Sequence, residues 1–301
     1  MSVITVPEQF AQWRIRVDGA AAREWVQALP ALVDRLLDQW NLALDEAEPL
    51  HGGFGLVVLV HRGEQPLALK LSCSGNAVAD EVRALRAWQG RSAVALLDAE
   101  PQAGAVLLER LDYRRSLHTL PLRDAAEIAG SLVRALAVAA PPGLRTLSEV
   151  AAGIADNLPG RQQALGSPVP PRWLDAARRY ACELRGAGDQ VLIHADLHYG
   201  NVLAATRQPW LAVDPRALQG VPEYSIPELM WTRADELPYG ADIRGIFDVI
   251  VAAGELDAAA ARGWVVTRCV DYWLWGLQRG LTIDPVRCER VLSALFPGSG
   301  N

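Results

Sequence analysis

VLIHADLHYGNVLAATRQPWLAVDP, residues 191–215, interrupts a long helical run with two short apolar segments around a loop. The loop carries Asp196 and, five positions on, Asn201; thirteen residues later Asp214 closes the second apolar segment. A carboxylate held in such a loop can accept a proton from a substrate hydroxyl, which makes Asp196 a candidate general base. Asn201 and Asp214 offer hard oxygen ligands of the kind Mg²⁺ prefers, and Mg²⁺ is usually shared with substrate phosphates rather than caged by protein alone. His194 reads as a structural residue packed behind the loop. Each residue type is commonplace by itself, so the signal lies in their order and spacing.

Moving toward the N-terminus, a second constellation emerges around Lys70, the only lysine in a chain that holds 29 Lys and Arg together. It sits in PLALKLS (66–72), an apolar β-like run, where a cation is costly unless paired. Glu81 follows eleven positions later in a helix expected over 76–90, with Val78, Val82, Leu85 and Trp88 on one side. An ammonium is a compact point charge, whereas guanidinium is a broad planar fork, so arginine is a poor substitute where one phosphate edge must be held. Just upstream, HGGFG (51–55) places Gly52, Gly53 and Gly55 between strands, where bare backbone can approach a phosphate. An ordinary hairpin would use the same glycines.

The surrounding pattern predicts strands over 42–50, 56–62, 66–72, 93–100 and 105–111, with a helix over 20–40 broken or kinked at Pro30. Beyond residue 112 the helical period dominates, over 123–139, 148–158, 172–186, 226–237, 242–253, 257–280 and 285–296. The expected architecture is α+β, with a β-rich N-terminal lobe over 1–110 and a mainly helical lobe over 111–301. A formal charge of −6 argues against a general nucleic-acid binder. No basic segment followed by an apolar core opens the chain, and no apolar run approaches the ~20 residues that span a bilayer. Cys73, Cys182, Cys269 and Cys288 are scattered, as expected for buried reduced thiols in a cytoplasmic protein without a membrane partner.

These motifs together resemble the protein-kinase-like fold, and within it the aminoglycoside phosphotransferases of the streptomycin 6-kinase and hydroxyurea kinase branch. HADLHYGN matches that group's H-x-D-x-x-x-x-N pattern, and AVDP stands where protein kinases have DFG. The resemblance implies transfer of the γ-phosphate of ATP, or of GTP, to a hydroxyl of a small molecule, with Mg²⁺. It implies Asp196 as catalytic base, Asn201 and Asp214 as Mg²⁺ ligands, and Lys70 on the α/β-phosphates oriented by Glu81. Gly52, Gly53 and Gly55 would cover the phosphates, and the backbone from Glu109 to Leu111 would meet the purine edge. Many relatives carry an aspartate after the aromatic that corresponds to Tyr224; this chain has Ser225 there.

For the acceptor, the resemblance points to a cationic antibiotic, streptomycin first, with hydroxyurea, a sugar or a choline-like alcohol as alternatives. A catalytically dead nucleotide-binding protein is a further alternative, and a monomer or weak dimer is expected. Glu223 and Glu228, with Asp235 and Glu236 nearby, would pair with guanidinium groups, and Trp231, Trp273 and Trp275 would offer faces to a cation or sugar.

Overall fold

Two helices precede the first strand: α1 (Glu8–Asp18) and α2 (Ala20–Trp40). A computed structural model describes residues 4–45, 48–73 and 75–296. The sequence pattern gave no hint of α1, which buries only Phe10 and Arg14 and so shows almost no apolar period. Pro30 lies inside α2 without ending it. A helix-interior proline costs about 3 kcal/mol. The burial of Leu29, Val33, Leu36 and Leu37 against the sheet, at roughly 1.5–3 kcal/mol each, outweighs that.

The sheet comprises β1 (Ala43–Leu44), β2 (Leu50–His51), β3 (Gly55–Arg62), β4 (Gln65–Ser72), β5 (Leu96–Glu100) and β6 (Ala105–Glu109), with helix α3 (Gly75–Trp88) inserted after β4. The expected strand over 42–50 is thus two short pieces, and residues 46 and 47 lie outside the described residues. Strand order is β1-β3-β4-β6-β5, with β2 paired to β3, and every pairing is antiparallel. Alternation sorts β4 into two faces. Leu67, Leu69 and Leu71 join Leu56, Val58 and Val60 of β3 in the core beneath α2. Lys70 therefore points to the other face, flanked in register by Val57 and Val106.

The chain divides into two units, Met1–Leu111 and Asp112–Asn301. The second opens with β7 (Asp112–Ser116) and α4 (Leu122–Leu136), then β8 (Val138–Ala139), α5 (Leu147–Ala164) and α6 (Pro171–Leu184). Short strands β9 (Val191–Ile193), β10 (Val202–Ala204), β11 (Trp210–Ala212) and β12 (Leu218–Gly220) follow. Helices α7 (Pro227–Trp231), α8 (Gly240–Gly254), α9 (Ala258–Gln278) and α10 (Ile283–Leu295) complete it. The single helix expected over 226–237 is instead α7 and a separate 3-10 turn, Ala234–Glu236. Close approach of α4 to α8 needs Gly130, where a Cβ would lie 2.6 Å from the Ile250 carbonyl oxygen. The small strands form two three-stranded sheets, β11-β10-β7 and β12-β9-β8. Their job is local: β9 and β10 carry the two ends of the loop that holds Asp196.

Candidate active site

In the first unit, Lys70 and Glu81 meet. The ammonium Nζ donates to both carboxylate oxygens of Glu81 at 2.7 Å, and the residues are 7% and 3% exposed. α3 delivers Glu81 because Val78, Val82, Leu85 and Trp88 bury its inner face. The glycine turn is fastened by α1: Trp13 Nε1 and Arg14 Nη1 both donate to the Gly53 carbonyl, at 3.0 and 3.1 Å. Gly52 commits its N–H to Gly55 O at 3.1 Å, so the turn does not offer that amide to a ligand. Gly55 is packed tightly, since a Cβ there would lie 3.3 Å from Leu71 O and 3.5 Å from Lys70 Cε. At the end of β6, Glu109 exchanges bonds with Ala95 through its amide at 3.0 Å and its carboxylate at 2.7 Å. Leu111, 9% exposed, closes the unit.

In the second unit, a ladder of bonds fixes the loop between β9 and β10. His194 Nε2 contacts Val213 O at 2.9 Å, Arg216 N donates to His194 O at 3.0 Å, and Val213 N donates to Asn201 O at 2.8 Å. His194 is 1% exposed and lies behind the loop. Asn201 Nδ2 donates to the backbone carbonyl of Asp196 at 3.0 Å, which turns Oδ1, the end suited to a cation, the other way. Ala195 and Asp214 both take left-handed backbone conformations, φ 55° and 57°. Non-glycine residues hold such angles at a cost, commonly where a site demands it.

Asp196 keeps 26% of its side chain exposed. Burial pushes its carboxyl up to about 6, against the pull of Arg216, while Asp214 adds a smaller upward push. His198 accepts from Gly200 N through Nδ1 at 3.1 Å, and burial holds its imidazole below the ordinary value, so it is a neutral strut of the loop. The Asn201 and Asp214 donors suit Mg²⁺ shared with phosphate oxygens. No cluster of three or more His, Cys, Asp or Glu able to hold a metal ion by itself occurs among the described residues.

The acidic residues expected to meet a cationic acceptor all bond to groups of the protein itself, Glu228 in the interior and Asp235 and Glu236 at the surface. Glu228 is 4% exposed and accepts from Arg268 at 2.7 Å; Arg268 also bonds Asp271 at 2.7 Å, which in turn accepts from Arg161. Glu228 is therefore a buried carboxylate paired through one oxygen with Arg268, not one standing open at a rim. Burial raises its carboxyl pKa, against the pull of Arg268. Glu223 accepts from Asp257 N at 3.0 Å at the head of α9. Asp235 pairs with Arg287 at 2.8 Å and Glu236 with Arg233 at 2.6 Å.

The tryptophans are also occupied. Trp273 packs on Trp173 at 6.1 Å in the core, and Trp231 stacks on Tyr272 at 4.8 Å, which stacks on Trp275 at 5.3 Å. Of the thiols, Cys269 and Cys288 are buried as expected, Cys73 is partly exposed, and Cys182 is exposed. The sequence reading missed Arg216, which contacts Asp196, and Arg268, which binds Glu228. Arg216 had one available signal, its place two residues after Asp214, while Arg268 is an unremarkable arginine in a helix.

Known proteins match nearly the whole length of this chain. The profile of the family described as aminoglycoside/hydroxyurea antibiotic resistance kinase matches residues 39–280. A streptomycin 6-kinase of Streptomyces glaucescens is 37% identical over 291 residues, 94% of each chain. A hydroxyurea phosphotransferase of Kitasatospora aureofaciens is 38% identical over 307 residues, 99% of this chain and 88% of that protein. Among solved structures, a thermostable mutant of aminoglycoside phosphotransferase APH(4)-Ia in ternary complex with ADP and hygromycin B superposes with a TM-score of 0.63. At 16% identity, covering 89% of this chain and 99% of that one, it speaks for the protein-kinase-like fold. The chain belongs to the aminoglycoside/hydroxyurea antibiotic resistance kinase family.

Proposed function

We propose that this protein transfers the γ-phosphate of ATP to a hydroxyl of a small antibiotic, with streptomycin the first acceptor to test. The observation that carries the chemistry is the loop in which Asp196, Asn201 and the Asp214 segment are tied together by hydrogen bonds. Asp196 takes the acceptor hydroxyl's proton as the new oxygen–phosphorus bond forms, and the bridging oxygen leaves with ADP. Lys70, held by Glu81, binds the α/β-phosphates, and Leu111 N–H with the Glu109 carbonyl meets the purine. Asn201 and Asp214 would hold Mg²⁺, which when bound would neutralise charge on the phosphates. Little covalent work falls to the protein, so positioning and electrostatics dominate. Action in the cytoplasm fits a chain with no helix, among its described residues, long and apolar enough to cross a membrane.

Streptomycin ranks first because its kinases from two species are 37% and 38% identical to this chain. Hydroxyurea is the second reading, and a specific observation favours it. Glu228, Asp235 and Glu236 each pair with an arginine of the protein itself, which weakens the charge argument for a guanidinium acceptor. Labelled ATP and GTP offered with streptomycin, hydroxyurea and simple sugars decides between them. Labelled streptomycin is the expected product. Phosphorylation of hydroxyurea without streptomycin overturns the acceptor, and no transfer to any of them overturns the enzyme.

A further inference from the structure

The Asp196 carboxylate has a partner that the roles above leave unused. Arg216 Nε donates to Asp196 Oδ2 at 3.2 Å. Its backbone is anchored to the same loop, because Arg216 N donates to His194 O at 3.0 Å and His194 Nε2 meets Val213 O at 2.9 Å. The guanidinium thus springs from a point fixed relative to the carboxylate it touches. Its side chain is 48% exposed, against 26% for Asp196. Ion pairs this open to solvent contribute little to folding, so stability does not account for the contact. A cation beside a base favours its ionised form but weakens its pull on a proton, so the contact offers geometry as well as charge.

A carboxylate's terminal torsion is broad and nearly two-fold, so a backbone anchor alone leaves its oxygens unoriented. Asn201 Nδ2 already pins the Asp196 main chain, at 3.0 Å from its carbonyl. We propose that Arg216 is the positioning residue of the catalytic carboxylate, holding Oδ2 so that Oδ1 faces the acceptor hydroxyl. This rests on the reading of Asp196 as the base. Main chain and carboxylate are then held by two different residues, and the acceptor meets one oxygen in one orientation. Small displacements of a reacting group cost rate steeply while leaving binding almost untouched. A lysine supplies charge but not the planar fork, so it restores the orientation only in part.

The test is a double-mutant cycle on the full chain, with ATP and whichever of streptomycin and hydroxyurea supports turnover. Arg216→Ala lowers kcat by about 10- to 100-fold, with KM for both substrates within about twofold of the parent. Arg216→Lys recovers part of that loss. In an Asp196→Asn background, Arg216→Ala costs less than about twofold more, because its effect runs through the carboxylate. Unchanged melting temperatures show that the variants fold. An Arg216→Ala enzyme with normal or raised kcat overturns the proposal, as does an equal loss in both backgrounds. A harmful Asp196→Asn beside a silent Arg216→Ala overturns the positioning role alone, whereas a silent Asp196→Asn overturns the base assignment with it.

Discussion

Replacing Lys70 by methionine separates what the residue does for folding from what it does for phosphate. Nζ lies 2.7 Å from both Glu81 oxygens, and the two side chains are 8% and 4% exposed. Lys70→Met leaves a buried carboxylate without its cation, a change that costs about 3–5 kcal/mol. At roughly 4 °C per kcal/mol for a domain near this size, the unfolding transition of the first unit falls by about 12–20 °C. Adding Glu81→Leu removes the stranded charge, and an apolar pair of similar volume is often neutral or stabilising. The double variant therefore recovers most of the melting temperature in scanning calorimetry while transferring no label from ATP. Lys70→Arg, forced between Val57 and Val106 with a broader head group, stays folded and loses most transfer. A Lys70→Met protein as stable as the parent would refute the buried pair. A double variant that still phosphorylates its acceptor would refute the phosphate role.

Asp196→Asn should lower kcat by roughly 10²–10⁴-fold with nucleotide affinity little changed, measured by steady-state kinetics and titration calorimetry. Glu228→Gln weakens its bond to Arg268 and should cost about 1–3 kcal/mol in urea unfolding; unchanged stability together with weaker streptomycin binding would return Glu228 to the acceptor. Hydrogen bonding from Arg110, helped by His61, holds the Asp45 carboxyl below its ordinary value. That stabilisation is present above about pH 4 and lost as pH falls through the depressed folded value. Asp45→Asn should therefore unfold in urea with a flatter dependence between pH 3 and 6, and an unchanged slope would count against the pairing.

The parts of the molecule legible in the sequence are those where one short segment states its own case. Lys70 in an apolar strand, Glu81 on an inserted helix, and the spacing from Asp196 to Asp214 each follow from local pattern. They indicated a kinase-like chain before any side chain was placed. What escaped depends on partners far away in sequence. Pro30 signals a break, yet tertiary burial of Leu29 and Val33 carries α2 through it. Glu228 looks like a surface carboxylate until Arg268, forty positions on, is brought to it at 2.7 Å. The polar strand β7 has no apolar alternation, and only its pairing with β10 makes it one.

The solitary lysine makes the protein its own chemical reporter. Apart from the terminal amine, an amine-directed acylating reagent meets a single target, Nζ of Lys70. That nitrogen is gripped by Glu81 in a residue only 7% exposed. Acylation must wait until β4 and α3 part, so its rate reads the frequency with which this one region opens. Mass spectrometry would follow it as a single mass increment, without an engineered label and without interference from the 28 arginines, which such reagents leave alone.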